Sequence, residues 1–227
     1  NISIDGGAVV EVKGVQQLSQ LALVIEYETK RQDGLNLIAK ELKSRKIDES
    51  KFLDNITDVT DLIEQSSSKV VKKIISGDSR FMGFVLRGFR GILSFEPYQG
   101  IRLGRELGEV AKSYGIGGIF HSDELPNYGI GSQDVESLSS ILNINENDAF
   151  ILVGGQSVML NSVVFEISNR IKKAFSGVVP ETRSVRLDGV TVFSRPRPGS
   201  SRMYPETDIP YISIDENELK ELSKNIP

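Results

Sequence analysis

Ala149-Phe150-Ile151-Leu152-Val153 is an unbroken apolar run of strand length, and beyond Gly154-Gly155-Gln156 the apolar residues recur as Leu160, Val163, Val164, Ile167, Ile171 and Ala174. The second spacing is helical and forms the cleanest stripe in the chain, so a strand passes directly into an amphipathic helix. Working outward, Val135 to Leu142 reads as a helix and Ile116 to Phe120 as a strand. Leu103 to Tyr114 reads as a helix with Gly115 as its C-terminal cap. Gly91 to Phe95 and Phe81 to Leu86 read as strands, and Val70, Val71, Ile74 and Ile75 as a short helix face closed by Gly77. Alternation of this kind from 69 to 177 predicts a compact α+β or α/β unit. Neither glycine cluster is a nucleotide fingerprint. Gly154-Gly155-Gln156 lacks the Lys-Ser/Thr of a phosphate loop, and Gly115-Ile116-Gly117-Gly118 precedes a strand instead of opening a helix.

The flanks have a different texture. Asn1 to Val15 reads as two short strands around Asp5-Gly6-Gly7. A long helix follows, with Leu18, Leu21, Ala22 and Ile25 and then Leu35, Ile38 and Leu42 at helical spacing. Lys51 to Ser68 is irregular, and Ser66-Ser67-Ser68 is the best linker candidate in the first third. After Gly177, Ser184 to Leu187 and Val190 to Ser194 flank Asp188-Gly189, the strongest short hairpin signal available. Pro196, Pro198, Pro205 and Pro210 then impose extended, irregular backbone.

Composition limits the function. The chain has 227 residues, a net charge of -4 and no cysteine. Disulfides, thiolate nucleophiles and cysteine-ligated zinc are thereby excluded, and the single histidine, His121, is too few for a histidine metal cluster. No apolar run reaches the roughly 20 residues of a membrane span. A cytosolic (cytoplasmic) protein with no membrane association is expected. The chain opens in what reads as mid-strand and stops after a helix-like stretch, which predicts a piece excised from something longer. Acidic overall charge argues against a general nucleic-acid coat but allows a local basic patch.

Three stretches carry a resemblance. The first is Asn1-Ile2-Ser3-Ile4, Val10-Glu11-Val12-Lys13-Gly14-Val15 and Val24-Ile25-Glu26-Tyr27-Glu28 with Lys30-Arg31-Gln32. The second is Glu181-Thr182-Arg183 with its hairpin, and the third Arg202-Met203-Tyr204-Pro205-Glu206-Thr207-Asp208-Ile209-Pro210. Together they resemble the GatB/GatE family of tRNA-dependent amidotransferases, and Met203-Tyr204 and Thr207 resemble its archaeal E branch. Between them, Gly118-Ile119-Phe120-His121-Ser122-Asp123-Glu124-Leu125-Pro126 resembles the domain that this branch shares with bacterial aspartyl-tRNA synthetases. The resemblance implies an α+β fold in which a catalytic cradle sheet is interrupted by an inserted α+β domain. Its parts are cradle with a long helix over 1–68, the inserted domain over 69–177, and the returning cradle with the start of a following region over 178–227. It further implies ATP-dependent conversion of Glu-tRNA(Gln) to Gln-tRNA(Gln). The glutamyl carboxylate is phosphorylated with ATP and Mg²⁺. Ammonia comes from the amidase partner, the D subunit of the amidotransferase, in a heteromeric, expectedly heterotetrameric, complex. The chain by itself is expected to be inactive. The alternative reading is a non-catalytic insertion module that binds tRNA or a partner.

Candidate residues follow from phosphoryl-transfer chemistry, which requires a divalent cation and cationic side chains around the phosphate. Glu11, between Val10 and Val12 on an extended segment, points opposite to them. The resemblance makes it catalytic and a Mg²⁺ ligand; without it, Glu11 reads as a solvated carboxylate. Lys13 shares that face and either meets phosphate or pairs with Glu11, an exposed pair contributing only ~0–1 kcal/mol. Arg183, Arg186, Arg195, Arg197 and Arg202 form a basic stretch opposed only by Asp188, and guanidinium forks match phosphate oxygens. Arg183 is nominated as catalytic, and Arg195, Arg197 and Arg202 as contacts to ATP or tRNA phosphate. The plain reading is a solvated hairpin with ion pairs to Glu181, Glu206 and Asp208. Glu206, two residues from Asp208 in extended chain, is a second metal candidate. His121-Ser122-Asp123 is not read as a triad, because adjacent strand residues point to alternate faces.

Overall fold

The computed structural model describes residues 18–75 and 77–196. Its centre is a four-stranded antiparallel sheet in the order β1-β2-β4-β3, built from β1 (Leu53–Asp58), β2 (Ser79–Leu86), β3 (Phe120–His121) and β4 (Ala149–Gln156). β2 and β4 pair along their whole length, with Phe84 opposite Ile151 and Val85 opposite Phe150. Antiparallel pairing throughout makes the fold α+β.

The apolar run of β4 is explained by burial on both sides. Successive side chains point to opposite faces. Ala149, Ile151 and Val153 enter one core, against α1 (Leu18–Ser44), α4 (Leu103–Ser113) and α6 (Ser157–Ala174). Phe150 and Leu152 enter a second core with α2 (Thr60–Ile63), α3 (Lys69–Ile74) and α5 (Ser132–Ile141). A strand covered on both faces has no polar side to show as alternation. Each of its fully buried Leu, Ile or Phe side chains contributes roughly 1.5–3 kcal/mol of burial. Gly154 lies in β4 itself, opposite Phe81, and a Cβ there would collide with the Phe81 ring. Both glycines of this stretch are therefore strand positions, Gly154 cleared for the Phe81 ring and Gly155 lying over Ile116.

Several sequence expectations need correction. Gly91 to Phe95 is not a strand but a set of turns. The Asp123 carboxylate accepts the backbone N–H groups of Gly91 and Leu93 at 2.9 Å and Ser94 at 3.2 Å, so these donors need no ladder. The strand expected over Ile116 to Phe120 shrinks to Phe120–His121, since the glycines before it favour turns over pairing. Ser66-Ser67-Ser68 is no linker. Ser66 and Ser68 are buried, Ser68 Oγ caps α3 by accepting the Val71 N–H, and it donates to the Tyr128 carbonyl at 2.6 Å. Lys51 to Ser68, read as irregular, supplies edge strand β1 and α2. The sheet thus takes one strand from before Lys69. A bulge between Asp54 and Thr57 hid β1 from the period-2 pattern.

Along α1 the expected apolar face is only half right. Leu35, Ile38 and Leu42 are buried, whereas Leu18 is 85% and Ile25 50% exposed. In the first half of the helix the buried line runs Val24, Glu28, Arg31. Spacing of apolar residues could not find a buried face made of charges. The expected hairpin forms, but its first strand starts three residues earlier than Ser184: β5 (Glu181–Val185) pairs with β6 (Thr191–Pro196), with Gly189 in the turn at φ 80° and packed on Leu23 of α1. Among the described residues no helix is long and apolar enough to cross a membrane.

Candidate functional site

Charged side chains from α1, α4, α6 and the hairpin converge in one buried cluster. Glu28 and Arg31 lie one turn apart on α1, Glu106 and Glu109 one turn apart on α4, Arg170 on α6, and Glu181 and Arg183 on the same face of β5. Arg31 is 1% exposed. Its Nε donates to Glu106 Oε1 at 2.8 Å, Nη2 to Glu106 Oε2 at 2.6 Å and to Glu181, and Nη1 to Glu28 at 3.3 Å. Arg170 Nη2 adds a second guanidinium to Glu106 Oε2 at 2.7 Å.

Arg183 makes four hydrogen bonds within the protein. Its Nε donates to Thr191 Oγ1 at 2.8 Å and Nη1 to Glu181, while Nη2 donates to Glu109 Oε2 at 3.0 Å and the Thr191 carbonyl at 2.9 Å. Thr191 Oγ1 in turn donates to Glu28. Glu109 Oε2 also accepts the backbone N–H of Phe193 at 2.8 Å, tying α4 directly to β6.

The electrostatics follow from this packing. Burial pushes the Glu106 carboxyl up, but the Arg31 hydrogen bonds and the charges of Arg31, Arg170 and Arg183 outweigh it and hold the group far below the usual carboxylate range. Burial opposes the charge on Arg31, and Glu106, Glu28 and Glu181 more than restore it. Tyr27, on the edge of the cluster, has its hydroxyl pushed up by burial, with Glu106 and Glu109 adding to the shift. Four carboxylates face three guanidiniums, and Arg105 supplies a fourth at 3.5 Å from Glu109. Charge is thus balanced within the protein. Arginines intersperse the carboxylates, and among the described residues no group of acidic or histidine side chains forms a metal site.

The nominated residues divide sharply. Arg183 lies inside the cluster with its N–H groups directed at protein acceptors, so the ion pair with Glu181 forms, but buried and not in solvent. Arg195 stands exposed near the end of β6. It follows Thr191 and Phe193 at two-residue steps and so shares their side of the strand. Glu11, Lys13, Arg197, Arg202, Glu206 and Asp208 lie outside the described residues. His121, Ser122 and Asp123 do separate jobs: His121 is buried with Nε2 3.7 Å from Glu124, Ser122 Oγ accepts the Phe150 N–H, and Asp123 holds the 91–94 turns. Burial pushes the His121 imidazole down, against the opposing charges of Glu124 and Asp123.

Sequence reading missed Glu28, Arg31, Glu106, Glu109 and Arg170. One signal was present. Arg170 falls between Ile167 and Ile171 in the α6 stripe, and Glu106 beside Leu103, Leu107 and Val110 in that of α4. A charge inside an apolar stripe requires a buried partner.

A model of the GatB/GatE catalytic domain matches residues 1–220. Over the whole of its length the chain is 42% identical to the E subunit of the glutamyl-tRNA(Gln) amidotransferase of Methanopyrus kandleri and 42% identical to that of Thermococcus sibiricus. With the E subunit of Sulfurisphaera tokodaii the identity is 44% over 99% of the chain. The chain spans 36% of the length of each of these relatives.

Proposed function

Because the chain belongs to the GatB/GatE catalytic domain family, we propose that it is part of the catalytic cradle of a tRNA-dependent amidotransferase acting on Glu-tRNA(Gln). The observation that carries this reading is the family match over residues 1–220, with relatives of that name aligned along the entire chain. In the reaction, a glutamyl side-chain oxygen attacks the γ-phosphorus of ATP and ADP leaves. Ammonia then attacks the acyl carbon, inorganic phosphate leaves, and the nitrogen sheds a proton to give the amide. The working assembly includes the ammonia-supplying D subunit in a heteromeric, cytoplasmic complex.

ATP would supply the phosphoryl group and Mg²⁺ the charge compensation it needs. The carboxylates of the buried cluster, Glu28, Glu106, Glu109 and Glu181, are paired with arginines. Glu11 and Glu206 remain the metal candidates, and Lys13, Arg197 and Arg202 remain with them outside the described residues. What this part of the chain contributes is a hairpin held rigidly on α1 and α4, with Arg195 displayed beyond the buried cluster. Arg183 acts in this reading as the hairpin's internal clamp, not as a group that touches substrate.

The test is Glu-tRNA(Gln)-dependent release of ADP by the full-length protein in complex with its ammonia-supplying partner. Wild type is expected to release ADP only when Glu-tRNA(Gln) is present, and Arg195→Ala to raise KM for ATP. ADP release indifferent to the charged tRNA would overturn the proposal.

A further inference from the structure

Two of the clamps on the hairpin come from α4, within the 69–177 stretch that the family resemblance implies is an insertion. Glu109 Oε2 receives both Arg183 Nη2 and the Phe193 backbone N–H. Glu106 gathers Arg31 and Arg170, with Arg183 Nη1 3.5 Å away. Phe193 itself packs on the core shared by α4 and α6. Arg195 is the next residue on that side of β6, and it is the first to stand exposed.

Resting on the reading above, we infer that Glu106 and Glu109 of α4 are positioning residues that set the place of Arg195 at the phosphate it meets. The physical case has two parts. Buried ion pairs are poor stabilisers compared with apolar packing of the same volume, and their best-attested use is to enforce one geometry. Moreover, Glu109 binds backbone and side chain of the hairpin together, which fixes β6 along and across its axis in a way that an apolar contact cannot. The 69–177 stretch then does more than fill space. It supplies the wall against which a phosphate-facing arginine is held, and a strand end displaced by about 1 Å can cost about a hundredfold in turnover.

The experiment is a double-mutant cycle in the full-length protein within its complex, reading KM for ATP in Glu-tRNA(Gln)-dependent ADP release. Glu109→Ala is expected to raise KM about tenfold, comparable with Arg195→Ala, and the double variant to be no worse than the poorer single, since coupled sites are not additive. Glu109→Gln, which keeps an acceptor oxygen for the Phe193 N–H, is expected to recover part of the loss. Glu109→Ala at wild-type KM, or losses that multiply, would overturn the inference while leaving the proposed function standing. An Arg195→Ala variant at wild-type KM would instead remove Arg195 from the site, and the inference with it. Should Glu109→Ala fail to fold, Arg170→Met enters the same cycle: it leaves Glu109 intact and strips one guanidinium from Glu106.

Discussion

Glu106→Gln is the most informative single perturbation of this fold. The substitution keeps the shape of the side chain and removes one charge from a carboxylate that accepts from Arg31 at 2.8 and 2.6 Å and from Arg170 at 2.7 Å. Two guanidiniums in the protein interior then lose the carboxylate that holds them most tightly, keeping only Glu28 and Glu181 beside Arg31 and the more distant Glu181 beside Arg170. Breaking a buried pair by removing one partner costs about 3–5 kcal/mol, mostly because the remaining charge is stranded. For a chain of this size each kcal/mol corresponds to about 2–4 °C in melting temperature, so the midpoint should fall by roughly 6–20 °C. The pH dependence carries a second signature. The folded-state value of Glu106 lies far below its unfolded value of about 4.3. Its contribution is therefore complete above that unfolded value and is lost as pH falls through the folded one. The gap between wild type and variant should be constant from neutral pH to about pH 5 and narrow below about pH 4. Urea-induced and thermal unfolding, followed by far-UV circular dichroism over this range, measure both effects. A destabilisation under about 1 kcal/mol at pH 7, or a gap that widens in acid, would refute the account of the cluster as a mutually dependent ionic core. The exposed pair Glu26–Lys30 is the internal control, and its removal should leave the midpoint unchanged.

Two further predictions concern the sheet and its neighbours. Gly154→Ala drives a methyl group into the Phe81 ring and should destabilise by about 1–3 kcal/mol, with Phe81→Leu in the same chain restoring part of the loss in urea titrations. Ser68→Ala removes the cap of α3 and the tie to the Tyr128 carbonyl, and should cost about 1–2 kcal/mol, with faster hydrogen exchange at the Val71 amide as the local readout.

Much of the fold was legible because apolar pattern and turn chemistry act locally. The β4 run, the α6 stripe, the helix before Gly115 and the Asp-Gly hairpin each announce themselves within a few residues, and all form, the hairpin with its first strand shifted toward Glu181. What failed did so for identifiable reasons. Gly91 to Phe95 has strand composition, but its backbone donors are taken by Asp123, some 30 residues away. β1 was hidden by its bulge, and the serine cluster read as a linker turned out to be a cap and a staple.

The sequence by itself determined the family, through ordered motifs, and the elements, through periodicity that a single stretch of chain can express. It also nominated Arg183 as catalytic and Arg195 as a phosphate contact, yet nothing in the local pattern showed that Arg183 is enclosed. Only the tertiary structure decided that Arg183 is sealed among carboxylates from α1, α4 and β5, whereas Arg195, beside prolines that break a regular ladder, is displayed at the end of β6 as that context suggests. The reason is physical. An arginine's role depends on which acceptors surround it, and here those acceptors come from positions as far apart as Glu28 and Glu181, brought together by folding alone.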